Sequence, residues 1–185
     1  MIRMNRSRPW ARWLLLAAAA TLAISACEER PAPAVAASTD WRDFRGSWNA
    51  TGTRRTIPLG TNRQASIIEL SGTMLLSGSA RPSVGFLSKV IALVDSDTGL
   101  VGRAVWTDDR GDEVFSELKG EGTKENNHIA GTILGGTGRY DGASGSFEFS
   151  WEYVIELEDG AIQGRATGLT GRYRLRPPET GAPKQ

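Results

Sequence analysis

An all-β fold, a single antiparallel up-and-down β-barrel of about eight strands, is what the folded part of this 185-residue sequence predicts. Three observations carry that expectation. Residues Phe147 to Leu157 alternate between large apolar and mostly polar side chains, short alternating runs recur between turn residues, and no helical apolar repeat of convincing length is present. A set of short strands with regular turns suits a sandwich or a closed barrel. Consecutive hairpins favour the up-and-down barrel, because closure removes edges that would otherwise aggregate.

Taken in chain order, Phe44–Thr53 is the first strand. Gln64–Ala80 follows, with Ile68, Leu70, Met74 and Leu76 on one face. Phe86–Asp95 (FLSKVIALVD) is mostly apolar and reads as a doubly buried strand, with a helix as the competing reading. Leu100–Thr107, Glu113–Gly122 and His128–Leu134 continue a meander, with turns at Asp95–Gly99, Asp108–Asp112 and Glu125–Asn127.

The clearest strand is Phe147–Leu157. Its period of two sets Phe147, Phe149, Trp151, Tyr153, Ile155 and Leu157 on one face, inward. Asp159-Gly160 then signals a two-residue hairpin turn, since a type I′ turn needs positive φ at both central positions. Counting out from that turn pairs Leu157 with Ile162, Tyr153 with Ala166, Trp151 with Gly168 and Phe149 with Thr170. Each ring then meets a small residue, which is how narrow barrels fill their taper. On the other face Glu152 and Glu156 bracket Arg165.

The glycine-rich stretch "GGTGRYDGASG" (Gly135 to Gly145) raises the question of a phosphate cradle. A Walker loop needs a Lys-Ser or Lys-Thr pair after its glycines, and the dinucleotide pattern would need glycine where Asp141 stands. Both depend on a helix N-terminus, whereas an alternating strand follows here. The glycines fit bends or bulges at a barrel corner, with Tyr140 and Asp141 at the tip. The same stretch resembles the G-G-T-G-[RK]-[FY]-x-G-A-x-G signature of dirigent proteins and allene oxide cyclase-like proteins. The resemblance implies an eight-stranded antiparallel barrel with a cavity for an apolar small molecule, and a homo-oligomer, since plant members are often trimeric. It also implies, as an alternative to simple binding, a cyclase- or isomerase-type enzyme acting inside the barrel. No functional residue of those families maps onto this chain.

The ends bound location. Arg3, Arg6, Arg8 and Arg12 precede the short apolar run Leu14–Leu22, too short for a spanning helix, which needs ~20 apolar residues. "LAISAC" resembles the lipobox of bacterial lipoproteins, which makes 1–26 a signal peptide and Cys27, the one cysteine, the lipid attachment site. Acyl chains on that residue anchor the protein in a membrane. Glu28 in place of aspartate favours the outer membrane, facing the periplasm, in a Gram-negative host. Residues 27–40 then form the lipidated cysteine with a Pro/Ala/Ser tether, 41–176 the barrel domain, and 177–185 a disordered tail. With a single cysteine no internal disulfide is available. Residues 1–27 hold four of the 22 basic side chains and no acid, so the remainder carries 18 against 21 acidic ones, about −3. That balance gives no footprint for nucleic acid.

Candidate chemistry is sparse. The rings of Trp106, Phe147, Phe149, Trp151 and Tyr153 are candidate ligand-lining groups, with plain core packing as the competing reading. Asp112 and Glu117, in the acidic stretch Ala104–Gly122, are candidate polar cavity or rim groups. Asp108, Asp109, Asp112 and Glu113 also read as a solvated turn or oxygen ligands for Ca²⁺, although the EF-hand spacing is absent. If the barrel is an isomerase, Trp106, Glu117 and Tyr153 are its cavity groups. His128 is the only histidine, so no Ser–His–Asp set or metal cluster can be assembled around it, and neither metal nor cofactor is expected. Arg54, Arg55, Arg172, Arg174 and Arg176 read as solvated or near lipid headgroups. An exposed apolar patch outside the barrel would signal a protein partner in the envelope.

Overall fold

Alternate residues from Phe44 to Tyr173 point into one enclosed space, and each strand that carries them is paired on both sides. The structure, a computed structural model, describes residues 41–78, 81–121 and 128–175. Its strands are β1 (Arg42–Pro58), β2 (Gln64–Gly78), β3 (Arg81–Asp95), β4 (Gly99–Asp108), β5 (Glu113–Gly120), β6 (His128–Gly136), β7 (Ser144–Glu156) and β8 (Ala161–Arg174). Each runs antiparallel to the next, and β1 also pairs with β8, from Arg42 with Tyr173 to Thr53 with Ala161. The result is the closed eight-stranded up-and-down barrel that the alternation implies. The signal segment, Cys27, the tether, the turn at Glu125–Asn127 and the tail lie outside the described residues.

Two expectations are corrected. The apolar run Phe86–Asp95 is a strand, but only one of its faces is buried. Phe86, Ser88, Val90 and Ala92 face the core, while Leu87, Ile91 and Leu93 are exposed on the outer wall. A strand buried on both faces needs a packing layer on each side, and a barrel wall has one.

The β7–β8 hairpin is closed by three residues, not two. The Leu157 N–H donates to the Ala161 carbonyl (2.9 Å), the Gly160 N–H donates to the Leu157 carbonyl (3.0 Å), and Gly160 has φ +88°. A three-residue loop with glycine in the left-handed region is the next preferred hairpin after the two-residue turn. The added residue, together with an irregularity between Tyr153 and Ile155, moves the register and places Tyr153 opposite Gly164 and Trp151 opposite Ala166. A second irregularity at Gly168 (φ +65°) resets the phase, so that Phe147 meets Gly171. Large rings still cover small residues, with different partners from those counted: a Cβ on Gly164 would lie 2.4 Å from Trp151 Cζ2. Glu152 takes Arg165 at 2.9 Å, whereas Glu156 reaches across to Arg54 at 2.7 Å. Ile155 and Leu157, expected inward, are 44% and 56% exposed, because this end of the strand falls outside the enclosed part of the barrel.

The same nesting holds at the middle of the barrel, where the Phe147 ring occupies the space a side chain on Gly131 would need. A Cβ there would sit 2.1 to 2.4 Å from three ring carbons. Overpacking a close-packed interior costs about 1–3 kcal/mol. Gly131→Ala should therefore lower the free energy of unfolding, measured by urea titration, by that amount with the barrel's far-ultraviolet dichroism unchanged; a variant as stable as the parent would show that the ring moves freely.

Candidate functional site

The interior is neither empty throughout nor filled throughout. A partition of rings crosses its middle. Trp106 and Phe147 lie 4.9 Å apart, Phe147 stacks on Phe149 at 6.3 Å, Phe149 meets Trp48 at 6.1 Å, and Trp48 meets Trp151 at 5.0 Å. Offset and edge-on ring pairs at such spacings are each worth about 0.5–1.5 kcal/mol beyond their burial. A cavity lies on each side of the partition.

The larger, about 410 Å³, opens at the end where β1 starts and β8 finishes. Its wall is apolar: Phe44, Leu76, Val84, Phe86, Trp106, Val114, Ile133 and Ala143. Tyr140 and Tyr173 add ring faces with a hydroxyl each, and Trp41, Arg42, Asp43 and Gly78 complete the lining. Arg172 and Arg174 stack on the Trp41 ring, at 4.9 and 5.0 Å. The volume lies within the ~300–1,000 Å³ range of small-molecule sites, and an apolar wall with a few polar groups is their usual make-up.

What holds this end in shape is the glycine-rich corner. β6 ends at Gly136, a single 3₁₀ turn spans Gly138–Tyr140, and β7 begins at Ser144. Gly138 has φ +52°, and a Cβ on it would lie 1.9 Å from the Asp112 carboxylate. The corner is thus drawn against the β4–β5 turn and aims no helix N-terminus at an anion. Arg139 makes the connection. Its guanidinium donates to Asp108 and, at 3.2 Å, to Asp112, and also pairs with Asp109 at 3.4 Å. Thr137 Oγ1 accepts from the Glu113 N–H at 2.9 Å. Three of the four carboxylates that read as a solvated turn or a cation site, Asp108, Asp109 and Asp112, therefore meet a guanidinium, while Glu113 accepts from Thr107.

Asp108 is the centre of this lock, its side chain fully buried. Burial alone would raise its pKa. The Arg139 guanidinium, the Arg110 N–H (2.8 Å), the Tyr140 hydroxyl and the Asp112 N–H (3.1 Å) outweigh that and hold the carboxyl below its usual range. Burial and the bond to Asp108 push the Tyr140 phenol up to about 12, so it remains a proton donor at neutral pH.

The candidate residues fall in several places. Trp106 walls the large cavity. Phe149, Trp151 and Tyr153 wall a smaller cavity of about 90 Å³ at the opposite end. Phe147 lies between, in the partition. Asp112 stands at the turn bounding the large cavity's end, bound to Arg139. Glu117, expected as a cavity or rim group, is on the outer wall instead, paired with Lys119 (2.7 Å) and Arg103 (3.0 Å). The reason is parity: Val114, Ser116 and Leu118 of β5 point inward, and Glu117 lies between them. His128 is exposed, 3.7 Å from Glu148. The sequence reading missed Arg42, Tyr140 and Tyr173 as lining groups. For Tyr140 a signal existed, since an aromatic within a glycine-rich corner can fold back over the mouth it borders.

Among solved structures the chain is similar to a pterocarpan synthase dirigent protein, with 12% identity over 75% of this chain and 94% of that one and a TM-score of 0.47. It is also similar to a pyocyanin demethylase, with 16% identity over 68% of this chain and 98% of that one and a TM-score of 0.39. No family model and no curated protein matches the chain. The architecture stands on the barrel's own pairing, and these likenesses carry nothing about activity.

The lock makes a pH prediction. A carboxyl whose folded pKa is depressed contributes stability that is present above its unfolded value of ~3.9 and lost as pH falls through the folded value. Asp108→Asn should cost about 2 kcal/mol at pH 7, since it weakens charge-assisted bonds and leaves buried donors poorly matched. The gap between parent and variant should narrow on acidification below pH ~4. Urea titrations at pH 7 and pH 3 measure both quantities; an equal gap at the two values would remove Asp108 from the acid response.

Proposed function

We propose that this chain is a lipoprotein anchored through Cys27 on the periplasmic side of the outer membrane, whose dirigent-like barrel binds a small apolar molecule. The observation that carries the ligand half is the cavity of about 410 Å³, with its wall of aliphatic and aromatic side chains. The anchor half is supported by the lipobox-like LAISAC segment and the Pro/Ala/Ser stretch between Cys27 and the barrel. Binding here is by shape and burial: each buried CH₂ of a ligand contributes ~0.8 kcal/mol, and Tyr140 and Tyr173 can orient one polar group. Trp106, Glu117 and Tyr153, the groups named for an isomerase, stand in three separate places and so do not form one site together.

A second reading, a protein partner or another copy of the chain, is favoured by the outer wall. Ile67, Leu93 and Val101 are direct cross-strand neighbours on β2, β3 and β4, each about half exposed. Exposed apolar patches of this kind mark interaction surfaces.

Native mass spectrometry of the protein purified from its membrane should find a bound apolar compound that is lost in Val84→Trp, a substitution that fills the cavity near its mouth. The same spectra report the number of chains per particle. A ligand-free parent, or retention by the filled variant, would end the binding proposal. Separately, growth with radiolabelled palmitate should label the protein, and Cys27→Ser should abolish the label and release the chain from the membrane fraction. Unlabelled parent protein would end the anchor proposal and leave the ligand question untouched.

A further inference from the structure

The rim where β1 starts and β8 finishes carries a charge arrangement unlike the rest of the wall. Trp41 stands there, 46% exposed, and lines the mouth of the larger cavity. Two guanidiniums cover its ring, Arg172 at 4.9 Å and Arg174 at 5.0 Å from the ring centre. The placement follows from register. Arg42 pairs with Tyr173, so Trp41 comes to lie beside the two arginines that flank that tyrosine on β8. Both arginines are exposed, and Arg174 Nε also donates to Ser144 Oγ at 3.2 Å.

What these two arginines lack is a counter-charge. Arg54, Arg63, Arg103, Arg139 and Arg165 each pair with a carboxylate, whereas among the described residues neither Arg172 nor Arg174 does. Asp43 is directly across the ladder from Arg172, yet that guanidinium lies over Trp41 instead. Glu148, farther along the wall on β7, faces His128 at 3.7 Å. Arg45 is exposed on β1 and adds a third positive charge to the corner that holds Asp43.

A guanidinium stacked on an indole commits its face and keeps its N–H edges, which match the oxygens of a phosphate. An exposed tryptophan beside such cations suits the level of lipid headgroups, because the indole is apolar in body and polar at one edge. Anionic lipid attracts each basic side chain near it. The anchor residue is joined to the barrel at this same end: Trp41 follows Cys27 by fourteen positions, a span of at most ~50 Å.

We infer that this rim is a docking surface for an anionic phospholipid membrane: Arg172 and Arg174 meet headgroup phosphates, Trp41 enters the interfacial layer, and the mouth of the larger cavity is turned to the bilayer. The inference rests on the anchor proposed above to bring the barrel to a membrane, and it adds which end docks and which lipid is met. An acidic protein would meet the arginines equally well; the exposed indole beside them favours lipid.

The test supplies its own anchor. The full chain, its Cys27 thiol coupled to vesicles bearing maleimide lipid, is tethered whether or not a cell acylates that residue, so the outcome stands apart from the palmitate experiment. The vesicles contain phosphatidylcholine brominated on its acyl chains, with or without phosphatidylglycerol. The readout is quenching of Trp41 fluorescence, taken as the difference between the parent and Trp41→Phe; Trp48, Trp106 and Trp151 are buried and away from the quencher. With phosphatidylglycerol the Trp41 emission should fall at least about twofold, and without it far less. Added salt should reverse the effect in the parent, a reading that needs no variant. Arg172→Gln and Arg174→Gln should each lower the ratio of docked to undocked barrels about fivefold. Arg172→Lys should retain most of the quenching, and Arg55→Gln, at the far end of β1, should change nothing. Absent quenching would overturn the assignment and leave an acidic protein as the partner. Equal quenching in the two kinds of vesicle, or an equal loss in Arg55→Gln, would overturn it as well.

Discussion

A ring of eight strands has a set girth, and every side chain that points inward draws on the same limited volume. Everything else in this structure follows from how that volume is shared. Two of the large rings are admitted where a neighbouring strand gives up its side chain, as Gly131 does for Phe147 and Gly164 for Trp151. Rings concentrated on β7, with Trp48 and Trp106 reaching toward them, meet at mid-height between the two cavities. Space that the rings do not fill is left at the two ends. The cavities are thus a product of where the large residues stand, and the strands themselves are ordinary.

The larger cavity needs one further device, because a strand end is the weakest part of a barrel wall. The β4–β5 turn and the β6–β7 corner are joined by a single guanidinium, Arg139, shared among three aspartates. Surface ion pairs generally contribute little. This one differs in having a fully buried carboxylate at its centre, met by backbone donors and by Tyr140 as well. Charge buried in this way is costly to disturb, and it fixes the Tyr140 ring where it walls the mouth.

Alternation alone made most of the architecture legible. Phe147, Phe149 and Trp151 face inward, as their spacing implies, and the eight strands lie near the expected places. What alternation cannot supply is phase. Asp159-Gly160 reads as a two-residue turn, yet Glu158 joins the loop, and one added residue moves every pairing beyond it; irregularities between Tyr153 and Ile155 and at Gly168 then move them again. Glu117 illustrates the same limit for the site: its acidity and its neighbours suggested a role, while its parity on β5 sends it outward. The signature around Gly135–Gly145 pointed correctly to a corner, but the use of Arg139 and Tyr140 depends on Asp108, some thirty positions earlier, and no local pattern reveals such a pairing. The outer wall of β3 was misread for a simpler reason, since a run of aliphatic residues looks the same whether a second layer covers it or not.

The partition of rings has a bearing on traffic. A barrel open from end to end can act as a conduit, with one species entering as another departs. Here the two chambers share no lining residue, and the larger opens past Trp41, Tyr140 and Tyr173. Exchange at that end then depends on how readily those three side chains move aside.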